Sequence, residues 1–185
     1  VTRGYDKAID VLGADHHGYV PRMKAALTAL GLDASRLDCV IMQMVRLVRE
    51  GETIKLSKRS GKAITLNTLI DEVPLDAARY LREPNSHFDF DLELAAKQSS
   101  ENPVYYVQYA HARICSIIKK AQEQGVELKT PSDDELALLN SKEEKDLIRH
   151  LSLLTDEIVS AAKSYDPAKI THYVIELATL FHKFY

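Results

Sequence analysis

Asn102-Pro103-Val104-Tyr105-Tyr106-Val107-Gln108-Tyr109-Ala110-His111-Ala112-Arg113 opens the stretch that decides the fold. Asn102 is a helix N-cap candidate, and Pro103 stands in the first turn, where its missing N–H costs nothing. Gly125 follows the pattern as a stop signal. Between them Val107, Ile114, Ile118 and Ala121 recur along one face, which predicts a long helix over 103–124. His111 lies on that apolar face and is expected to be a hydrogen-bonded core histidine. Tyr106, Tyr109 and Arg113 fall at i, i+3 and i+7. At about 100° per residue they form a second stripe, turned away from the first by roughly a third of a turn or more. Tyrosine rings and a guanidinium suit stacking on splayed-out RNA bases. The pattern by itself favours tyrosines packed beneath a neighbouring helix.

Downstream of this helix the character is wholly helical. Ser132-x-x-Glu135 and Ser141-x-x-Glu144 each match a capping box, in which hydroxyl and carboxylate satisfy orphan N–H groups of the first turn. Leu147, Leu151, Leu154, Ile158 and Ala162 are expected to continue the second of these helices as one narrow apolar stripe. Asp166-Pro167 then starts a last helix carrying Ile170, Tyr173, Val174, Leu177 and Phe181.

Upstream the chain is mixed α and β. Ala8–Leu12 is a short apolar strand, followed by Gly13 and a helix from about Pro21, read as its first turn, to Leu30. Leu37–Arg49 is rich in Val, Ile and Met, and Glu50-Gly51-Glu52 reads as a turn into Thr53–Leu56, a hairpin. Short helices are expected near 67–72, 75–82 and 92–98.

Apolar residues make up 45% of the 185-residue chain and charged residues 28%, the balance of a folding globular protein. A net charge of −3 gives no overall cationic surface, so nucleic-acid contact would rest on local groups. Cys39 and Cys115 sit apart in apolar runs and outside any C-x-x-C pair. They read as buried free thiols, with no zinc site. No apolar run approaches the ~18 residues of a membrane span, and the N-terminus lacks a secretion signal, so a cytoplasmic location is expected. The chain opens on Val1 rather than Met and stops at Tyr185 inside a helical pattern, so both ends read as cuts.

Two further stretches could carry chemistry. Gly13-Ala14-Asp15-His16-His17-Gly18 follows a strand at its carboxyl end, where open α/β sheets place ligands. Glycine admits a ring or ribose close to the backbone, Asp15 could accept from ribose hydroxyls, and the imidazoles could donate to phosphate. An equally good reading of these residues is a tight turn whose Asp and His cap the next helix. Adjacent histidines share no helix face, which disfavours a metal pair. Lys55-Leu56-Ser57-Lys58-Arg59-Ser60-Gly61-Lys62 gathers four cations in eight positions. Such a loop suits a polyphosphate, since ammonium groups offset charge that builds during transfer. An arbitrary lysine cluster is more simply a solvated basic turn.

The order of residues in that loop resembles the K-M-S-K-S signature of class I aminoacyl-tRNA synthetases, with Leu for Met and Arg for the final Ser. Together with Gly13–Tyr19, Ser86-His87-Phe88-Asp89-Phe90-Asp91 and Glu101–Arg113, it resembles the bacterial arginyl-tRNA synthetase family across essentially the whole chain. The resemblance implies the C-terminal part of a Rossmann-type class I catalytic domain, with its connecting stem-contact region, over 1–98. An all-α anticodon-binding helical bundle would follow over 99–185, making the chain mostly helical.

In the complete enzyme the resemblance implies arginine-tRNA ligase activity: ATP, as its Mg2+ complex, activates arginine, which then passes to tRNA(Arg). Lys58 and Lys55 would be catalytic. Gly13, Asp15, His16, His17, Ser57 and Arg59 would bind ATP, while Tyr106, Tyr109 and Arg113 would bind tRNA. No structural metal and no membrane are implied, the full enzyme is expected to be monomeric, and most of the arginine pocket lies outside this stretch. Because the H-I-G-H signature is absent, this chain alone is expected to be inactive. About one helical turn is missing near Arg79-Tyr80-Leu81-Arg82 relative to the family. The residues themselves leave two rivals open: a non-catalytic tRNA-binding module and another nucleotide-dependent adenylyl transferase.

Overall fold

The computed structural model describes residues 3–54, 65–80, 88–127 and 129–185. The chain divides into two compact units, Val1–Lys55 with Arg82–Asp91, and Leu56–Leu81 with Leu92–Tyr185.

The first unit is α/β. Strand β1 (Ala8–Gly13) leads through a 3-10 turn at Ala14–His16 into α1 (Tyr19–Ala29), and β2 (Leu37–Met42) then pairs parallel with β1. The register sets Gly13 opposite Met42, so both strands end side by side and the Gly13 turn stands at their carboxyl edge. Pro21 is the third residue of α1, within its first turn but not its first residue. The first helical turn donates no internal hydrogen bonds, so Pro is tolerated throughout it. Strand β3 (Val45–Arg49) forms the expected hairpin with β4 (Glu52–Thr53). Glu50 and Gly51 take φ 53° and 76° at the turn, the left-handed pair that matches strand twist in a two-residue hairpin.

A further strand, β5 (Phe88–Asp91), pairs parallel with the other edge of β3. The alternation of Phe88 and Phe90 with two aspartates is a strand pattern not read from the sequence. Its polar side is fixed by a two-pronged ion pair from Arg46 to Asp89, at 2.7 and 3.1 Å.

The second unit is helical. The short helices α2 (Leu66–Glu72), α3 (Leu75–Tyr80) and α4 (Leu92–Ala96) precede the long α5 (Pro103–Glu123). Asn102 is the expected cap: its buried side chain accepts from Val104 N at 3.1 Å and donates to the carbonyls of Ala95 and Lys97. Both capping boxes form, at Ser132 for α6 (Asp133–Leu136) and at Ser141 for α7 (Lys142–Ser152). The last helix, α9 (Ala168–Phe184), packs against α5, α7 and α8 (Leu154–Ser164).

Several expectations fail here. The single long helix expected after Ser141 is broken at Leu153, and its stripe is not a core: Leu151 is 49% and Ile158 50% exposed. Helix α9 packs on both pieces, and the residues they bury are His150 and Ala161 instead. On α5 the buried residues are Val104 and Ala110, with Ile114 and Ile118 each 38% exposed and His111 exposed, not in a core. Val107 does pack on the core as expected, whereas Ile114 and Ile118 lie off the contact line, which runs through Ala110 and Ile117. Cys115 is likewise exposed, beside His111, and Cys39 is half-buried. No helix among the described residues is long and apolar enough to cross a membrane.

Candidate functional site

Two groups of side chains carry the chemistry read from the sequence, one in each unit. In the first, Gly13 ends β1 in extended backbone, and His17 N closes the 3-10 turn on Ala14 O at 3.2 Å. A Cβ at Gly13 would meet Asp15 Oδ1 at 2.6 Å, so the carboxylate folds back over the glycine. Asp15 and His16 are exposed, with His16 Nε2 3.6 Å from Asp15 Oδ2. Neither caps α1, which has Gly18 at its N-cap and no side-chain cap bond. The reading of this turn as a helix cap is thereby removed. The imidazole of His16 lies against Tyr19 at 5.5 Å, and the guanidinium of Arg22 stands over the Tyr19 ring at 5.7 Å. His17 is exposed in the turn. Lys55, Ser57, Lys58 and Arg59, like Ser86 and His87, lie outside the described residues.

In the helical unit Tyr106, Tyr109 and Arg113 do come together, and they divide in character. Tyr106 is half-buried against the Ala110–Ala178–Phe181 core, with its hydroxyl 3.5 Å from Thr179 Oγ1. For this residue the reading of a tyrosine packed beneath a neighbouring helix holds. Tyr109 is 46% exposed, and Arg113 Nη1 donates to its hydroxyl at 3.3 Å. The guanidinium sits between two rings, 5.6 Å from Tyr109 and 4.5 Å from Tyr185. Arg113 makes no ion pair among the described residues. Its charge therefore faces a groove walled by Tyr109, Ser116, Lys120 and Tyr185.

Sequence reasoning missed Tyr185, His182 and Lys120. His182 stands on α9 and Tyr185 caps its C-terminus, three residues apart, a spacing visible in the sequence. That α9 lays this face on α5 is a tertiary fact no local pattern carries. Lys120 falls one helical repeat beyond Arg113, and continuing that stripe would have found it.

The helical unit thus presents an aromatic and cationic ridge at its surface, and the same chain also holds an α/β unit. Residues 107–185 match the family model described as the DALR anticodon binding domain. Over its whole length the chain is 54% identical to an arginine–tRNA ligase of Caldanaerobacter subterraneus subsp. tengcongensis and 53% identical to one of Staphylococcus epidermidis, spanning 34% of each. A solved structure from Campylobacter jejuni assigned as an arginyl-tRNA synthetase superposes on all of it, with a TM-score of 0.80 at 38% identity over 40% of that chain. The chain belongs to the arginine–tRNA ligase family, and it spans about a third of the length of the relatives it matches.

Proposed function

We propose that this chain is the part of an arginine–tRNA ligase that supplies the signature loop and the anticodon-binding surface. The complete protein would be a cytoplasmic ligase that activates arginine with Mg2+-ATP and transfers it to tRNA(Arg). Residues 1–98 would then belong to the catalytic domain and 99–185 to the anticodon-binding domain. The observation that carries the reading is the exposed Tyr109–Arg113–Tyr185 ridge on the matched helical domain, with its guanidinium held between rings and without an ion pair among the described residues. That arrangement offers a flat stacking surface and an available charge for RNA.

Gly13 and Asp15 would hold the adenosine, with His16 and His17 near the nucleotide. A glycine at the carboxyl end of a parallel strand, with the Asp15 carboxylate folded back over it, supports that placement. Lys58, with Lys55, would offset charge on the phosphates during transfer, and Ser57 and Arg59 would contact ATP.

The test uses the full-length protein. Lys58→Ala is expected to depress arginine-dependent ATP–pyrophosphate exchange by on the order of a hundredfold or more while sparing tRNA affinity. Tyr109→Ala is expected to weaken tRNA binding by roughly tenfold while sparing tRNA-independent steps. Equal effects of both substitutions on both readouts would refute the division of labour. Normal exchange in Lys58→Ala would leave the non-catalytic RNA-binding module as the better account.

A further inference from the structure

His182 touches Tyr106, Tyr109 and Phe181 beneath the ridge, yet nothing so far gives it a role. Helix α9 buries Phe181 in the core, and the next residue is rotated by about 100° toward α5. The imidazole packs at 5.0 Å from the Tyr106 ring and lies nearly parallel to Tyr109, at 5.7 Å and 25°. Its Nε2 is buried without a hydrogen-bond partner among the described residues, so that nitrogen does not fix the ring. What remains is the flat ring, wedged between two tyrosines and against Phe181 at 5.5 Å.

Tyr109 has one face toward this imidazole and the Arg113 guanidinium 5.6 Å from its ring centre, and it remains 46% exposed. A surface tyrosine without such a floor samples several χ1 wells, and each disordered conformer withdraws the stacking face. The orientation then passes outward: the Tyr109 hydroxyl accepts from Arg113, and Arg113 in turn lies over Tyr185. The geometry points to His182 as a positioning residue that sets the plane of Tyr109, and through it Arg113, for stacking on RNA bases. This rests on the RNA-binding reading above and adds the residue that preorganises its surface.

The experiment measures binding of an arginine-accepting tRNA transcript by fluorescence anisotropy, at one fixed salt concentration, with the full-length protein. His182→Phe keeps a flat ring and is expected to bind within twofold of the parent. His182→Leu fills the same space without a flat face and is expected to bind about fivefold more weakly, its unfolding midpoint serving as a check on folding. In a Tyr109→Ala background, His182→Leu is expected to cause no further loss, because its effect runs through that ring. A merely structural role would weaken both backgrounds alike. Parent-like affinity in His182→Leu, weak binding in His182→Phe, or additive losses in the double variant would each overturn the proposal. If Tyr109→Ala itself leaves affinity unchanged, the RNA-binding reading falls first; if it weakens binding while His182→Leu does not, only the role of His182 falls.

Discussion

Tyr173→Phe isolates one buried hydrogen bond in the helical unit. His150 on α7 and Tyr173 on α9 lock the two helices reciprocally. The phenol donates to His150 O at 3.1 Å, His150 Nε2 lies 3.0 Å from Tyr173 O, and the rings stack at 4.3 Å and 13°. Tyr173 is 5% and His150 7% exposed, so water cannot replace a lost partner. Burial, with the charge of Glu157 as a smaller contribution, raises the phenol above its usual pKa of 10.0, so it remains a donor at neutral pH. Phenylalanine keeps the stack and removes only that donor. His150 O also accepts from Leu153 N at 3.1 Å, so the acceptor is not orphaned. The cost is therefore the net worth of one hydrogen bond, about 1 kcal/mol, rather than the about 3 kcal/mol of an unsatisfied buried group. Urea unfolding followed by circular dichroism should show a lower midpoint at unchanged m-value, with the thermal midpoint reduced by about 2–4 °C. His150→Leu removes both its hydrogen bond and the stacked ring, so it should cost about 2 kcal/mol. A Tyr173→Phe variant as stable as the parent, or one costing more than His150→Leu, would refute the reasoning.

Tyr80 donates to Thr171 O at 3.1 Å, and burial pushes its pKa from 10.0 up to about 12. A raised pKa means that the folded state favours the neutral phenol. Its stabilising contribution is present below pH 10 and is lost as pH rises through about 12, so an alkaline titration of Tyr80→Phe should show a shallower loss across that window. Ser141→Ala removes the hydroxyl that accepts from Glu144 N at 3.2 Å and should cost about 1 kcal/mol in urea unfolding. Gly13→Ala should leave the unfolding midpoint nearly unchanged, because the atom it meets is the swinging end of Asp15, yet it should weaken ATP binding in the full-length protein by displacing that carboxylate. Unchanged ATP affinity would remove Asp15 from the adenosine site.

What the sequence made legible is what short-range chemistry encodes. The Asn102 cap, both capping boxes and the Glu50-Gly51 turn each satisfy backbone groups within a few residues, and each forms where its residues stand. The errors lie where a neighbour in space decides. Leu147–Ala162 has unbroken helical periodicity, yet the chain breaks at Leu153 and α9 packs over His150 and Ala161, so the apolar stripe faces outward. Periodicity states which residues share a face; it does not state which face another helix will cover. Strand β5 escaped for a related reason, since four alternating residues gain strand character only by pairing with β3.

The same distinction divides the ridge. Tyr106, Tyr109 and Arg113 were found together because i, i+3 and i+7 guarantees a shared side of α5. The identical spacing could not tell that Tyr106 would sink against Thr179 while Tyr109 stayed exposed, because that depends on α9 crossing one turn from Tyr109. Ala110 permits the close approach, being small and buried against Ala178 and Phe181, and it places His182 and Tyr185 on either side of the exposed residues. A larger residue at 110 would push α9 outward and part His182 from Tyr109 before it unfolded the bundle. The geometry of the ridge is therefore set by a small core residue that no motif marks, and its arrangement should be lost before the fold is.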